Sequence, residues 1–224
     1  MKCPSLSIAI TLSGLAILAA GCQVSLMSGG VMGGGTNAPY YEFGSGQTAA
    51  ARPALPAGSW QSRAVLKVSP FSIPEKYGRA MLLAKDGQVT SSGILWKSAP
   101  GIAVSEELFA SLARGRMFRC VTRESSMTRA DVSLNGDILA FELQTTETSV
   151  KAVLEVAVTL TDGNRALWSQ VIREEAPVAG AKKGVFADAE AAGAMKRCMA
   201  AVVSRVETEL ANGAAPDSLA PPKP

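Results

Sequence analysis

Val150-Lys151-Ala152-Val153-Leu154-Glu155-Val156-Ala157-Val158-Thr159-Leu160 is the stretch that decides the fold. Val150, Ala152, Leu154, Val156, Val158 and Leu160 fall at every second place, the period of a strand with one face in a core. Thr161-Asp162-Gly163-Asn164 follows as a hairpin turn signal. Ala166 to Arg173, with Trp168 inside it, carries the chain back. Upstream, Asp131 to Gln144 also alternates, through Val132, Leu134, Ile138, Ala140 and Phe141. Gly136 interrupts that run and is expected to break or bulge the strand and shift its phase.

Downstream the period changes. Val185 to Leu210 places Phe186, Ala189, Ala192, Met195, Met199, Val202, Val206 and Leu210 at steps of three and four. That is a helix, about 39 Å long at 1.5 Å per residue. Its one wide apolar face implies packing on a sheet, and a Met and Ala stripe of this kind reads as core before it reads as a ligand groove.

The first half of the chain is more broken. Tyr40-Tyr41-Glu42-Phe43 predicts a short strand by its aromatic content, and Ala49 to Pro56 an extended connector. Ala64 to Val68 predicts a strand stopped by Pro70, with a loop over Pro70-Phe71-Ser72-Ile73-Pro74. Met81-Leu82-Leu83 and Gln88 to Trp96 flank Asp86-Gly87 as a hairpin. Pro100 to Arg114 predicts a helix with Leu108, Phe109 and Leu112 as its stripe. Ser105, Glu106 and Glu107 are assigned near its start, where acidic groups suit the helix dipole, and Gly115 is its stop. Phe118 to Thr122 is the next strand. The order is strands, helix, three long strands, helix. It predicts an α+β fold: a mixed, mainly antiparallel sheet with two helices packed on one face.

Outside this domain the chain reads as targeting and tether. Lys2 precedes an apolar or small run from Leu6 to Ala20, too short for a permanent membrane span. Leu18-Ala19-Ala20-Gly21-Cys22 resembles a bacterial lipobox, which makes Cys22 the lipidation residue, N-acylated and carrying diacylglycerol. Ala19-x-Gly21 also fits an ordinary secretory cleavage site. Gln23 follows the cysteine, whereas an aspartate there would favour inner-membrane retention, so the expected location is the outer membrane, periplasmic side. The domains are therefore read as 1–21 signal peptide, 22–39 lipidated cysteine and Gly-rich tether, 40–210 folded domain, and 211–224 disordered tail. Some 16 residues of flexible Gly-rich tether span about 20–24 Å.

Composition narrows the function. The chain has 224 residues and a formal charge of +3. No dense basic run suggests a nucleic-acid partner. There is no histidine, which excludes Ser-His-Asp and Cys-His catalysis and His-ligated metal sites. Gly29-Gly30-Val31-Met32-Gly33-Gly34-Gly35-Thr36 has glycines but no lysine to reach a phosphate. The expectation is a non-enzyme with no cofactor and no metal.

The order of punctuating residues resembles the ABC-type transport auxiliary lipoprotein family, the paraquat-inducible-type lipoproteins that accompany MCE-domain lipid transporters. The resemblance covers about residues 40–210. It rests on Tyr40-Tyr41, Val68-x-Pro70-Phe71, Trp96, Leu108 and Leu112, Phe118-Arg119, Ala130-Asp131, Leu134-x-Gly136 and Leu160-Thr161-Asp162. The chain departs from the family in its long Ala/Pro-rich stretch between Tyr41 and Trp60. It also lacks the expected tyrosines between Lys85 and Leu95. The resemblance implies a TolB-amino-terminal-like sandwich and a non-catalytic auxiliary subunit. Its partners would be an MCE-domain subunit with separate permease and ATPase chains. Because such partners are often ring-shaped, a homo-oligomer is expected. The alternative is an envelope lipoprotein that regulates a cell-wall enzyme or assembles an envelope complex.

Four side chains are singled out beside Cys22. Cys120 and Cys198 are expected to be close, either as a disulfide or as two separate buried thiols. Phe71 and Ile73, apolar in a loop, are expected to form a docking surface. Trp96, Phe118 and Trp168 are core or partner contacts, with Trp96 the most open to an interface role. Arg123-Glu124 and Arg173-Glu174-Glu175 read as solvated strand ends before they read as a polar site. Asp131 reads as a cap or turn residue.

Overall fold

A computed structural model describes residues 40–41, 59–85, 88–163, 165–181 and 185–213. The leader, Cys22, the tether, Asp86-Gly87, Asn164 and the tail beyond 213 lie outside the described residues, so the readings made there stay expectations.

The described residues form one eight-stranded mixed sheet with two α-helices. The strands are β1 Tyr40–Tyr41, β2 Val65–Val68, β3 Ala80–Lys85, β4 Gln88–Trp96, β5 Cys120–Arg123, β6 Val132–Thr145, β7 Val150–Asp162 and β8 Arg165–Pro177. The helices are α1 Pro100–Gly115 and α2 Asp188–Asn212. The fold class is α+β, as the residue pattern implies.

β6 is the spine. β7 runs antiparallel along its whole length, from Ser133 opposite Thr161 to Thr145 opposite Val150. Its other edge is shared by two short parallel strands. β2 takes the first part, Val132 to Leu134, and β3 takes the last, Glu142 to Thr145. Between them Ser72 bridges Asp137. β5 continues the sheet past β2, and β4 then β1 continue it past β3. β8 closes the opposite edge against β7.

The alternating apolar residues of β7 are all buried, with Ala152, Leu154, Val156 and Val158 fully so. In β6 the phase does shift, but not at Gly136. Val132, Leu134 and Ile138 face the core before the irregularity between Ile138 and Ala140; Phe141 and Leu143 face it after. Leu139 is the extra residue and is exposed. Ala140 is left on the outer side.

α1 packs over β2, β5 and β6, α2 over β7 and β8, and the two helices touch each other. Pro100 takes the first helical position, where its missing N–H costs nothing. Glu106 and Glu107 fall beyond the first turn, which holds no acidic residue. They pair instead with Arg123 and Arg114. The left-handed residue that ends α1 is Arg116, at φ 51°, one place after the expected Gly115. α2 starts at Asp188, three residues later than the pattern suggests. Phe186 is half-buried ahead of it and Ala189 is exposed; the stripe from Ala192 to Leu210 is buried. A buried hydrogen bond from Ser111 Oγ to Glu207 Oε1, 2.8 Å, joins the helices.

Candidate functional site

Phe71 belongs to the core and not to a docking surface. It is 3 % exposed. A methyl at Gly136 would lie 2.4 Å from ring atom Cε2 of Phe71, and one at Gly101 would lie 2.2 Å from the Phe71 carbonyl oxygen. The ring therefore sits over β6 where only glycine fits, and the start of α1 passes over its backbone where only glycine fits. Gly136 is present for this contact rather than for a bulge. Ser72 fixes the segment: its N–H donates to the Gly136 carbonyl at 2.9 Å, and its carbonyl accepts from Ile138 N–H at 2.8 Å. Ser72 Oγ also bonds Asp137 Oδ1. Ile73 is partly buried and packs against the same core. The apolar residues of this loop are explained by burial.

The aromatic residues follow the same rule. Trp96 is fully buried between Tyr41, 6.0 Å away, and Phe141, 5.8 Å away, measured between ring centres. It is core, not interface. Phe118 is buried edge-on to Trp60 at 5.9 Å. Trp168 is half-buried on β8 opposite Leu160. Asp131 acts on the backbone: its carboxylate accepts from Val65 N–H at 2.7 Å and lies 3.7 Å from Arg119.

Cys120 and Cys198 are both free thiols. Cys120 is exposed on β5, while Cys198 is buried on α2, its Sγ 3.4 Å from the Ala152 carbonyl of β7. The disulfide is not formed. The alternation that turns Phe118 inward is lost at Cys120, because the strand begins only there. Burial pushes the Cys198 thiol up to about 11, with the charge of Glu174 adding to the rise.

A pocket of about 360 Å³ lies beside Val68, Pro70, Glu106, Phe109, Arg123 and Glu124 and gathers charged groups. Arg123 grips Glu106 with two donors, Nε to Oε1 at 2.9 Å and Nη2 to Oε2 at 2.7 Å, and its guanidinium lies 3.8 Å over the Phe109 ring. The hydrogen bond from Arg123 holds the Glu106 carboxyl below its usual range. Ser69 Oγ donates to Glu124 at 2.6 Å. On the outer side of the sheet, Arg173 bonds Glu155 at 2.7 Å and Glu175 at 3.0 Å, and Lys151 bonds Glu175 at 2.6 Å. The Lys151 hydrogen bond is the main reason the Glu175 carboxyl is lowered. Both groups are exposed ion pairs with their charges mutually satisfied. Among the described residues no group of three or more Cys, Asp and Glu is placed to hold a metal ion, and no helix is long and apolar enough to cross a membrane.

Sequence reasoning missed the 3-10 turn Trp60–Arg63 and its role. Trp60 Nε1 donates to the Gly213 carbonyl at 3.0 Å, and Gln61 Nε2 donates to the Leu210 carbonyl at 2.8 Å. The signal was a tryptophan at the end of an Ala/Pro-rich stretch, whose partners lie some 150 residues away.

No family model and no curated protein sequence matches the chain. Among solved structures it is similar to a Xanthomonas campestris protein assigned to the DUF330 family, with TM-score 0.61 and 17% identity over 71% of this chain and 90% of that one. A second, an uncharacterized protein, has TM-score 0.52 and 15% identity over 65% and 91%. A minor lipoprotein from Acinetobacter baumannii has TM-score 0.39 and 9% identity over 66% and 97%. The first two define the class of this molecule: a helix-covered mixed sheet of the α+β type. At these identities the likeness is one of fold.

Proposed function

We propose that the chain is a lipid-anchored envelope protein of the outer membrane's periplasmic side, serving as a non-catalytic auxiliary component of an ABC/MCE-type lipid transport system. The observation that carries this reading is where the residues of the family resemblance fall. Tyr41, Phe71, Trp96, Leu108, Leu112, Phe118, Leu134 and Leu160 all belong to or pack against one core. Asp131 and Gly136 are tied to it by a backbone bond and by ring contact. A set of marks spread over more than a hundred residues thus shapes a single architecture, which is what shared ancestry of fold would leave. Cys22 followed by a glycine-rich run supplies the anchor and reach in sequence terms, since several acyl chains exceed the two-signal requirement for stable attachment. Anchoring concentrates weak docking surfaces, so a modest interface suffices.

Two measurements test the proposal. Mass spectrometry of the protein purified from membranes is expected to give Cys22 as the mature N-terminus, bearing diacylglycerol and an N-acyl chain. An unmodified Cys22 terminus would sink the anchor. Affinity isolation of the full chain from detergent-solubilised envelopes is expected to bring down an MCE-domain chain with its permease and ATPase. Recovery of a cell-wall enzyme instead would move the assignment to the alternative.

A further inference from the structure

β2, β5 and the first part of β6 run parallel, and Val68 lies opposite Arg123 where β2 and β5 both end. There the two exits part. Ser69 N–H donates to the Leu134 carbonyl at 3.0 Å, which carries the exit of β2 toward β6. A turn closed by Ser126 N–H on the Arg123 carbonyl, also 3.0 Å, holds the exit of β5 at its own end. α1 packs over both strands. A crevice between diverging exits, outside the carboxyl ends of parallel strands, is where open sheets take ligands. Here that crevice is the pocket of about 360 Å³, at the small end of the range for ligand sites.

The lining selects the ligand. Val68, Pro70 and Phe109 supply an apolar wall. The polar groups already use most of their donors on one another. Arg123 gives Nε and Nη2 to Glu106. The Ser105 hydroxyl donates to the Ile102 carbonyl at 2.9 Å, and the Ser69 hydroxyl donates to Glu124 Oε2. That neutral hydroxyl is the one partner Glu124 has among the described residues, so its negative charge meets no cation. Glu106 and Glu124 against Arg123 leave the lining with a formal charge of −1. An anion would face that net charge and would have to draw Arg123 away from a two-point, charge-assisted grip. A cation meets two carboxylates, one of them unclaimed by any other cation. We propose that this pocket binds a small organic cation, an ammonium group on a short apolar stem, with the charge at Glu124 and Glu106 and the stem against Val68, Pro70 and Phe109. Either a free amine or the lysine of a docked chain presents this chemistry. The site does not depend on the transport reading.

The probes n-butylammonium, butanol and butyrate share a stem and differ in charge. Saturation-transfer NMR of each with the full chain in detergent, against protein-free micelles, is expected to show binding of n-butylammonium at about millimolar concentration and none of butyrate. Glu124→Gln keeps an oxygen for the Ser69 hydroxyl and removes only the charge. It is expected to weaken n-butylammonium about twofold to fivefold, the range of an exposed ion pair. Arg123→Gln releases the Glu106 carboxylate and is expected to strengthen n-butylammonium, whereas an anion site would be lost with that arginine. Circular dichroism checks that both variants keep the fold, and the Glu124→Gln comparison stands alone if Arg123→Gln does not. N-acetyl-lysine methylamide separates the sources: tighter binding than n-butylammonium assigns the cation to a lysine of a docked chain, and weaker binding assigns it to a free amine. No saturation of n-butylammonium above the micelle blank would overturn the proposal. So would butyrate or butanol binding as well as n-butylammonium, or an affinity that Glu124→Gln leaves unchanged.

Discussion

Phe71 sits between two glycines, each present because the phenylalanine leaves no room for a methyl. That makes a coupled trio with a measurable signature. Phe71→Ala removes a fully packed ring and is expected to lower stability by about 3–5 kcal/mol. Gly136→Ala overpacks the site and is expected to cost about 1–3 kcal/mol. Together the two should cost clearly less than their sum, because the new methyl fills space the ring has vacated. Urea unfolding of the three variants measures this, and strict additivity would show that the contact does not matter. Cys198 gives a second residue-scale expectation. A thiol in the unfolded chain titrates near 8.5, but the buried one titrates near 11. In that window the folded state holds a proton the unfolded state has lost, so stability falls as pH rises. The contribution is intact below about pH 8.5 and is lost as pH approaches 11. Thermal unfolding between pH 8 and 11 should slope downward more steeply in wild type than in Cys198→Ala. In the native state a maleimide should modify Cys120 and spare Cys198.

Among the elements, α2 shows how an end is secured without a capping side chain of its own. Its last carbonyls have no intrahelical donor, and Gln61 and Trp60 supply two from the 3-10 turn. Gln61→Ala removes one buried donor and is expected to cost about 1–3 kcal/mol. Hydrogen exchange should rise in the last turn of α2 and nowhere else in that helix; uniform protection would show that the tie is idle. This end was illegible beforehand because nothing local marks it. The strand β7, by contrast, was legible almost residue by residue, since a half-buried strand must alternate and the hairpin turn is written in Asp162-Gly163; β8 was legible from Ala166 to Arg173 but runs on to Pro177. The phase shift in β6 was legible but misplaced. A glycine in a strand suggests a bulge, yet here the glycine answers a ring that the loop folds over it, and the bulge sits at Leu139, a residue with no special conformational freedom. The docking role of Phe71 and Ile73 failed for the same reason: a loop by sequence can still be core by packing.

For the whole molecule, what the sequence withheld was the join. Periodicity finds strands, but it does not say that two short parallel strands, β2 and β3, divide one edge of β6 between them, because parallel partners are distant in sequence and share no turn. That join also decides how much of the chain the fold needs. The contacts cluster into a unit from Asn37 onward, and the core runs from Trp60 to Leu210. Outlying contacts beyond that core include Tyr41 against Trp96 and Gly213 under the Trp60 indole. Nested truncations separate these contributions. Starting the chain at residue 37 removes no described contact and should leave the melting temperature unchanged. Starting it at residue 59 also removes β1, stripping Trp96 of a ring and Lys97 N–H of its bond to the Tyr41 carbonyl. The aromatic pair alone is worth about 0.5–1.5 kcal/mol, and at about 2–4 °C per kcal/mol for a domain of this size the midpoint should drop by several degrees. Ending the chain at residue 209 removes Leu210 from the core and, at once, the Leu210, Ala211 and Gly213 carbonyls that accept from the 3-10 turn, and should be the most damaging of the three. Differential scanning calorimetry orders them. If the truncation at 37 were as damaging as the one at 209, the fold would extend into the segment before Tyr40, and the domain boundary drawn here would be wrong.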